Sequence, residues 1–267
     1  GGGGRITRND VLAVAANRQD TKAPPTTAAP ALSAPLPAAG PDDDVVEFTR
    51  ARRAPAEHMV RSLATSAHTL VAVEVDYHRV DPIRRQAGLS YLPFVARATI
   101  DALRELPHLN ASVGDDQLIV HRRIHLGIAV DVAFEALVVP VVRDAGDMRL
   151  GALGEAMAAQ AEKARTKRLT GEDLSGGTFT ITNVGAYGTV ITAPVINQPQ
   201  VAILSTDAVR MRPAAVRSAV GEWTVAVHPL GNLCLSFDHR AVDGAYAAAF
   251  LARVRELLET RDWSQEL

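Results

Sequence analysis

A stretch that cannot fold by itself divides this chain. From Gln19 to Asp44 the sequence passes through Ala-Pro-Pro-Thr-Thr-Ala-Ala-Pro and then Ala-Pro-Leu-Pro-Ala-Ala-Gly-Pro-Asp-Asp-Asp. Proline has no backbone N–H to give to a helix or a ladder, and the small residues around it offer too little apolar surface to build a core. Residues 19–44 therefore read as an Ala/Pro-rich linker, and what lies on either side is built separately. Residues 1–18 hold one short helical signal, in which Thr7 caps and Asp10 answers three residues later. A single helix with nothing to pack on marks the remnant of another module. Residues 45–267 must carry the core, and with 47% hydrophobic and 22% charged residues over the whole chain they have the material for one.

Within that region helical and extended signals alternate. Pro55–Thr65 reads as a helix with Pro55 in its first turn, where the missing N–H costs nothing. The segment from Val71 to Tyr77 alternates as a strand, and Leu92, Val95, Ala96, Thr99, Leu103 and Leu106 repeat at helical spacing until Pro107 stops them. Ile124–Val132 and Leu137–Val142 are β-branched runs separated by a turn, and Leu150–Leu169 reads as a long amphipathic helix. Buried strands are expected at 178–182, 200–205 and 232–237, and a last helix places Phe250, Leu251, Val254, Leu257 and Leu258 on one face. The alternation implies an α/β fold, a two-layer mixed sheet with helices.

Several functions drop out on composition. Lys and Arg total 28 against 30 Asp and Glu, which gives no field to gather nucleic acid or an anionic membrane. The longest apolar run, near Ala136–Val142, is far short of the roughly 20 residues that cross a bilayer. The N-terminus lacks the apolar stretch of a signal peptide, so the expected location is cytoplasmic. One cysteine, Cys234, makes neither an internal disulfide nor a multi-cysteine metal site. In Leu-Cys-Leu-Ser-Phe it reads as buried filler, and no metal is expected.

Two segments carry chemistry. Ser236-Phe-Asp-His-Arg-Ala-Val-Asp-Gly-Ala245 joins a buried strand to the last helix and puts His239 at a strand end. An imidazole, with an ordinary pKa of about 6.5, suits removal of a proton from a thiol of about 8.5. Asp243, four residues on, either orients that base or merely caps the helix, and the spacing alone fits both readings equally. Gly176-Gly-Thr-Phe-Thr-Ile-Thr-Asn-Val-Gly-Ala-Tyr-Gly188 places Thr180 and Thr182 on one side of a strand. A hydroxyl there could donate to an oxyanion, although threonine also favours strands for no chemical reason.

A resemblance joins the two. Asp238-His-Arg-Ala-Val-Asp-Gly-Ala245 resembles the Asp-His-Arg-x-x-Asp-Gly signature of dihydrolipoamide acyltransferases, and Thr178-Phe-Thr-Ile-Thr-Asn183 resembles their second active-site strand. Arg52–Met59, Pro107–Ser112, Leu126–Asp131 and Ala193–Leu204 also match the family in order, and Gly4–Leu12 looks like the end of its peripheral-subunit-binding domain. The resemblance implies a chloramphenicol-acetyltransferase-like fold and acyl transfer between dihydrolipoyl-lysine and coenzyme A. The lipoyl-lysine would belong to a domain outside this sequence. It implies His239 as base, Asp243 braced by Arg52 or Arg53, and Thr182 as the oxyanion donor supplied by a neighbouring subunit of a homotrimer. Such trimers assemble into a larger core that binds the decarboxylating dehydrogenase and dihydrolipoamide dehydrogenase components. Coenzyme A contacts and the identity of the acyl group are not implied.

Two departures from the family pattern bear on local geometry: Pro55 stands in the first helix, and Val132-Ala-Phe-Glu-Ala-Leu137 replaces a turn that usually carries glycine. The competing readings are a stand-alone chloramphenicol-type acetyltransferase and a structural scaffold with reduced catalysis. The linker argues against the first, and the presence of His239, Asp243 and Thr182 together argues against the second.

Overall fold

The computed structural model describes residues 38–218 and 220–267, and residue 8. The short N-terminal helix and most of the linker expected from the sequence lie outside the described residues. Residues 38–47 have neither helix nor strand and are exposed. Phe48–Leu267 form a compact unit.

That unit holds α1 (Arg50–Thr65), α2 (Val80–Ala87), α3 (Leu92–Glu105), α4 (Leu150–Arg165) and α5 (Gly244–Thr260). The main sheet comprises β1 (His68–Asp76), β4 (Leu126–Ile128), β7 (Val141–Val142), β8 (Phe179–Asn183), β9 (Ala202–Thr206), β10 (Arg210–Arg217) and β11 (Trp223–Asp238). Its order is β1-β11-β9-β8-β4-β7, with β10 hydrogen-bonded to the first half of β11. The β8–β9 and β4–β8 pairs are parallel and the others antiparallel, so the sheet is mixed as expected. Two small hairpins, β2 (Ala111–Val113) with β3 (Leu118–Val120) and β5 (Val130–Val132) with β6 (Ala136–Val138), stand apart.

The sheet has two unlike faces. Val71, Val73 and Val75 of β1, Leu233, Leu235 and Phe237 of β11, Leu204 of β9 and Ile181 of β8 join the core with Phe94 and Val95 of α3 and Phe250 and Val254 of α5. Phe179 meets Phe250 at 6.0 Å between ring centroids. Burying a side chain of this size removes about 1.5–3 kcal/mol of apolar exposure to water, so this contact layer is what holds the helices down. Thr180, Ser205, Cys234 and Ser236 lie on the opposite face, since strand residues alternate, and all four are buried.

Three expectations change. Helix α1 begins at Arg50 and not at Pro55, because Thr49 supplies the cap: its hydroxyl accepts from the Arg52 amide at 3.2 Å. Pro55 therefore stands inside the helix, where its absent N–H leaves the Ala51 carbonyl without its usual partner. Helix α4 stops at Arg165, four residues before the expected end, with the Thr166 amide returning to the Glu162 carbonyl. The strand expected at 232–237 is the second half of a 16-residue strand whose first half forms a ribbon with β10. The turn without glycine is real, and its cost is visible: Ala133 and Phe134 take φ of 50° and 61°. Left-handed backbone costs roughly 1–2 kcal/mol per non-glycine residue. The Asp131 carboxylate accepting from the Phe134 amide and Arg52 donating to the Phe134 carbonyl hold it there.

Candidate active site

The last antiparallel register pair of β1 and β11, His68 with Asp238, brings the end of β11 to the corner where α1 passes into β1. The His239 amide donates to the Ala67 carbonyl at 2.9 Å. Asp238 lies beneath, 1% exposed. Its carboxylate accepts from the Ala67 amide at 3.2 Å, the Arg240 amide at 3.0 Å and the Arg240 guanidinium at 2.6–3.1 Å. Burial alone would raise the Asp238 pKa, but the bonds from Arg240, Ser66 and Ala67 outweigh it and hold the carboxyl below its ordinary value. An ionised carboxylate with this many donors is a rigid anchor. The two residues before His239 and after it are thus fixed to each other and to Ala67, while the imidazole itself is 47% exposed.

Asp243 is placed by its backbone as the N-cap of α5, yet its side chain makes no capping bond and is 89% exposed. Its Oδ1 stands 3.9 Å from His239 Nδ1, close enough for charge interaction and too far for a hydrogen bond. Among the described residues, neither Arg52 nor Arg53 pairs with Asp243. Arg52 donates to the Phe134 carbonyl in the β5–β6 turn, and Arg53 turns back to the Phe48 carbonyl just before α1.

Thr182 is half-buried on β8, and Thr180, two residues before it, is fully buried and donates to the Gln200 side-chain oxygen at 2.7 Å. Asn197 links Thr180 to His58 of α1, at 3.4 Å and 3.1 Å respectively. Ser62 donates to the Ile196 carbonyl at 2.6 Å, His68 accepts from the Ile196 amide, and Gln198 donates to Ser66. The 193–199 segment is thus a strap between α1 and β8. After β8 the chain passes so close to Asp207 that a Cβ at Gly185 would sit 2.7 Å from its carbonyl oxygen, so only glycine fits.

His239 and Thr182 are not brought together within one chain. Thr182 pairs with Ser205, and Ser205 with Cys234, five residues before His239 on β11. At about 3.3 Å per residue and 4.8 Å per strand, roughly 19 Å separates them. The sequence expectation named both residues but gave Asp238 no role, and nothing in the spacing pointed to Ser66 and Ala67. Among the described residues, no helix is long and apolar enough to cross a membrane.

Residues 40–264 match the family model of the 2-oxoacid dehydrogenases acyltransferase (catalytic domain). The dihydrolipoyllysine-residue succinyltransferase component of the 2-oxoglutarate dehydrogenase complex of Haemophilus influenzae is 34% identical over 97% of this chain and 64% of its own length. The dihydrolipoyllysine-residue acetyltransferase component of the pyruvate dehydrogenase complex of Mycobacterium bovis is 37% identical over 82% of this chain and 42% of its own length. The chain thus spans less than two thirds of the relatives it matches. Dihydrolipoamide acetyltransferase of Azotobacter vinelandii superposes with a TM-score of 0.74 and 31% identity, over 84% of this chain and 97% of that one. In that enzyme a serine, a histidine and an asparagine four positions after the histidine have been investigated for roles in the catalytic mechanism. Chloramphenicol acetyltransferase, at 12% identity and a TM-score of 0.51 over 76% of this chain and 94% of its own, shares the fold alone. Match, order and fold agree: the chain belongs to the 2-oxoacid dehydrogenase acyltransferase family, whose catalytic domain it contains.

Proposed function

We propose that the protein moves an acyl group between a dihydrolipoyl thiol and coenzyme A within a 2-oxo acid dehydrogenase complex. The observation that carries the reading is the His239 imidazole, half-exposed on a turn that Asp238, Arg240 and Ala67 make rigid. His239 takes the proton of the coenzyme A thiol, and the thiolate adds to the carbonyl carbon of an acyl-lipoyl thioester. The carbonyl oxygen becomes an anion that accepts a hydrogen bond from the Thr182 hydroxyl. Collapse expels the lipoyl thiolate, which recovers the proton from imidazolium. No acyl-enzyme forms. Because Asp243 faces Nδ1, the working nitrogen is Nε2.

The separation of Thr182 from His239 supports a shared site, completed by a second copy of the chain. A homotrimer supplies that arrangement. Assembly of trimers into a larger core, with the decarboxylating dehydrogenase and dihydrolipoamide dehydrogenase bound to it in the cytoplasm, belongs to the same proposal. So does the division into a binding-module remnant at 1–18, a linker at 19–44 and a catalytic domain at 45–267.

Purified protein assayed with free dihydrolipoamide against acetyl-, succinyl- and isobutyryl-coenzyme A tests the reading directly. One of the three is expected to be turned over well ahead of the others. Absence of transfer from all three by correctly folded, oligomeric protein overturns it.

A further inference from the structure

On the face of the sheet away from the helices, a row of polar side chains runs across three strands at the level of Thr182. Thr182 of β8 pairs with Ser205 of β9, and Ser205 with Cys234 of β11, so the three lie side by side, about 4.8 Å apart from strand to strand. The far end of the row is satisfied. The Cys234 thiol lies 3.4 Å from the Asp207 carboxylate, which also accepts from the Thr192 hydroxyl at 2.8 Å. So is the hydroxyl two residues back along β8, since Thr180 donates to Gln200 at 2.7 Å. Ser205 is the exception: its side chain is 0% exposed, and its Oγ has no hydrogen-bond partner among the described residues. A buried hydroxyl without a partner is a standing cost to a fold, and one in mid-sheet calls for an acceptor within reach.

Two acceptors flank it. The Cys234 sulfur is a weak one, and its own hydrogen is engaged with Asp207. The Thr182 oxygen is a strong one. A threonine hydroxyl has a single hydrogen and two lone pairs, so when Thr182 donates to an oxyanion its oxygen stays free to accept. The Ser205 hydroxyl can turn toward that oxygen about χ1, from one staggered well to another. We propose that Ser205 is a positioning residue for acyl transfer: its O–H donates to Thr182 Oγ1 and so aims the Thr182 hydrogen at the oxyanion. The inference rests on the reading of Thr182 as the oxyanion donor. A hydroxyl that accepts a hydrogen bond is also the stronger donor, so the contact orients and polarises the working group together. Ser205 itself, being fully buried, touches no substrate.

Steady-state kinetics of the full chain, with dihydrolipoamide and whichever acyl-coenzyme A it turns over best, test this. Ser205→Ala should lower kcat about tenfold, the factor expected of one net hydrogen bond, while KM, oligomer size and melting temperature stay near those of the wild type. Ser205→Cys keeps the shape but supplies a poor donor, so its rate should stay low as well. The decisive measurement is a double-mutant cycle with Thr182→Val, which has no oxygen to aim: adding Ser205→Ala there should cost nothing further. A merely structural serine would instead lose the same factor in both backgrounds. Full activity in Ser205→Ala, full recovery by Ser205→Cys, or an additive tenfold loss in the Thr182→Val background overturns the inference. Thr182→Val alone keeps the two ideas apart. If it is fully active, the oxyanion reading and the positioning role both fall; if it is impaired while Ser205→Ala is not, only the positioning role does.

Discussion

Thr182 stands level with Cys234 across two strand pairings, five residues short of His239, with β9 lying between their strands. A hydroxyl and an imidazole so placed cannot serve one thioester from one chain. His239→Ala alone should lose roughly a hundred- to ten-thousandfold in rate, and Thr182→Val on the order of a hundredfold. Co-refolded mixtures of the two inactive proteins should regain activity, because some contacts pair an intact His239 with an intact Thr182. Steady-state assay of the mixtures decides it. No gain over the separate variants, with mixed oligomers confirmed by mass spectrometry, excludes the shared site.

Asp243 carries 89% of its side chain in solvent and makes no capping bond, so its removal should barely touch the fold. Asp243→Ala is expected to stay within about 0.5 kcal/mol of wild type in urea unfolding, as for an ordinary surface change. Its rate should fall, since the carboxylate lies 3.9 Å from His239 Nδ1. A large drop in stability would show that the missing arginine partner comes from another subunit.

Asp238 is the reverse case. Its carboxylate gathers the Ala67 amide, the Ser66 hydroxyl and the Arg240 guanidinium in a buried position, so Asp238→Ala should cost about 1–3 kcal/mol. The sign of the pH effect follows from its depressed pKa. The stabilisation is complete above the ordinary carboxylate range and is lost as pH falls through the lower folded-state value. Wild type should therefore lose stability steeply below about pH 4, and Asp238→Ala less steeply. Parallel acid titrations of the two proteins would falsify the anchor if their slopes matched.

Cys234 is fully buried, and burial together with its contact to the Asp207 carboxylate pushes the thiol up to about 11. Since the thiolate is the reactive form, iodoacetamide at pH 8 should leave native Cys234 untouched and label it once urea unfolds the chain. Labelling of the native protein at the rate of a free thiol would contradict the assigned burial.

How much of this was legible depends on how local each feature is. Helix α3 declares itself because Leu92, Val95, Ala96, Thr99 and Leu103 recur at helical spacing and Pro107 lies just beyond, although the folded helix is buried on nearly every side from Pro93 to Leu103. The start of α1 was hidden because Pro55 imitates a first-turn proline while the real cap, Thr49, sits six residues earlier among unremarkable neighbours. The ribbon was invisible since Arg-Met-Arg-Pro-Ala-Ala-Val-Arg carries no inward apolar pattern; its apolar face points out. At the site, the Asp-His-Arg run identifies His239 because a strand end and a helix start meet there. The Ala67 contact that fixes Asp238 spans 171 positions, and no periodicity encodes a relation of that length.

The pairing of β1 with β11 bears on how such a chain is made. Among the described residues strand β1 ends the sheet and has β11 as its one strand partner, with His68 opposite Asp238 and Asp76 opposite Leu230. On the ribosome its backbone groups have no ladder to join until more than 150 further residues have emerged. Contacts this distant close slowly and leave an unpaired apolar edge exposed meanwhile, which favours chaperone capture or misassembly. Release truncated before Leu230 strands β1 without a partner and leaves the Ser66–Ala67 corner with nothing to hold, so an incomplete protein carries neither a finished sheet nor the turn that bears His239.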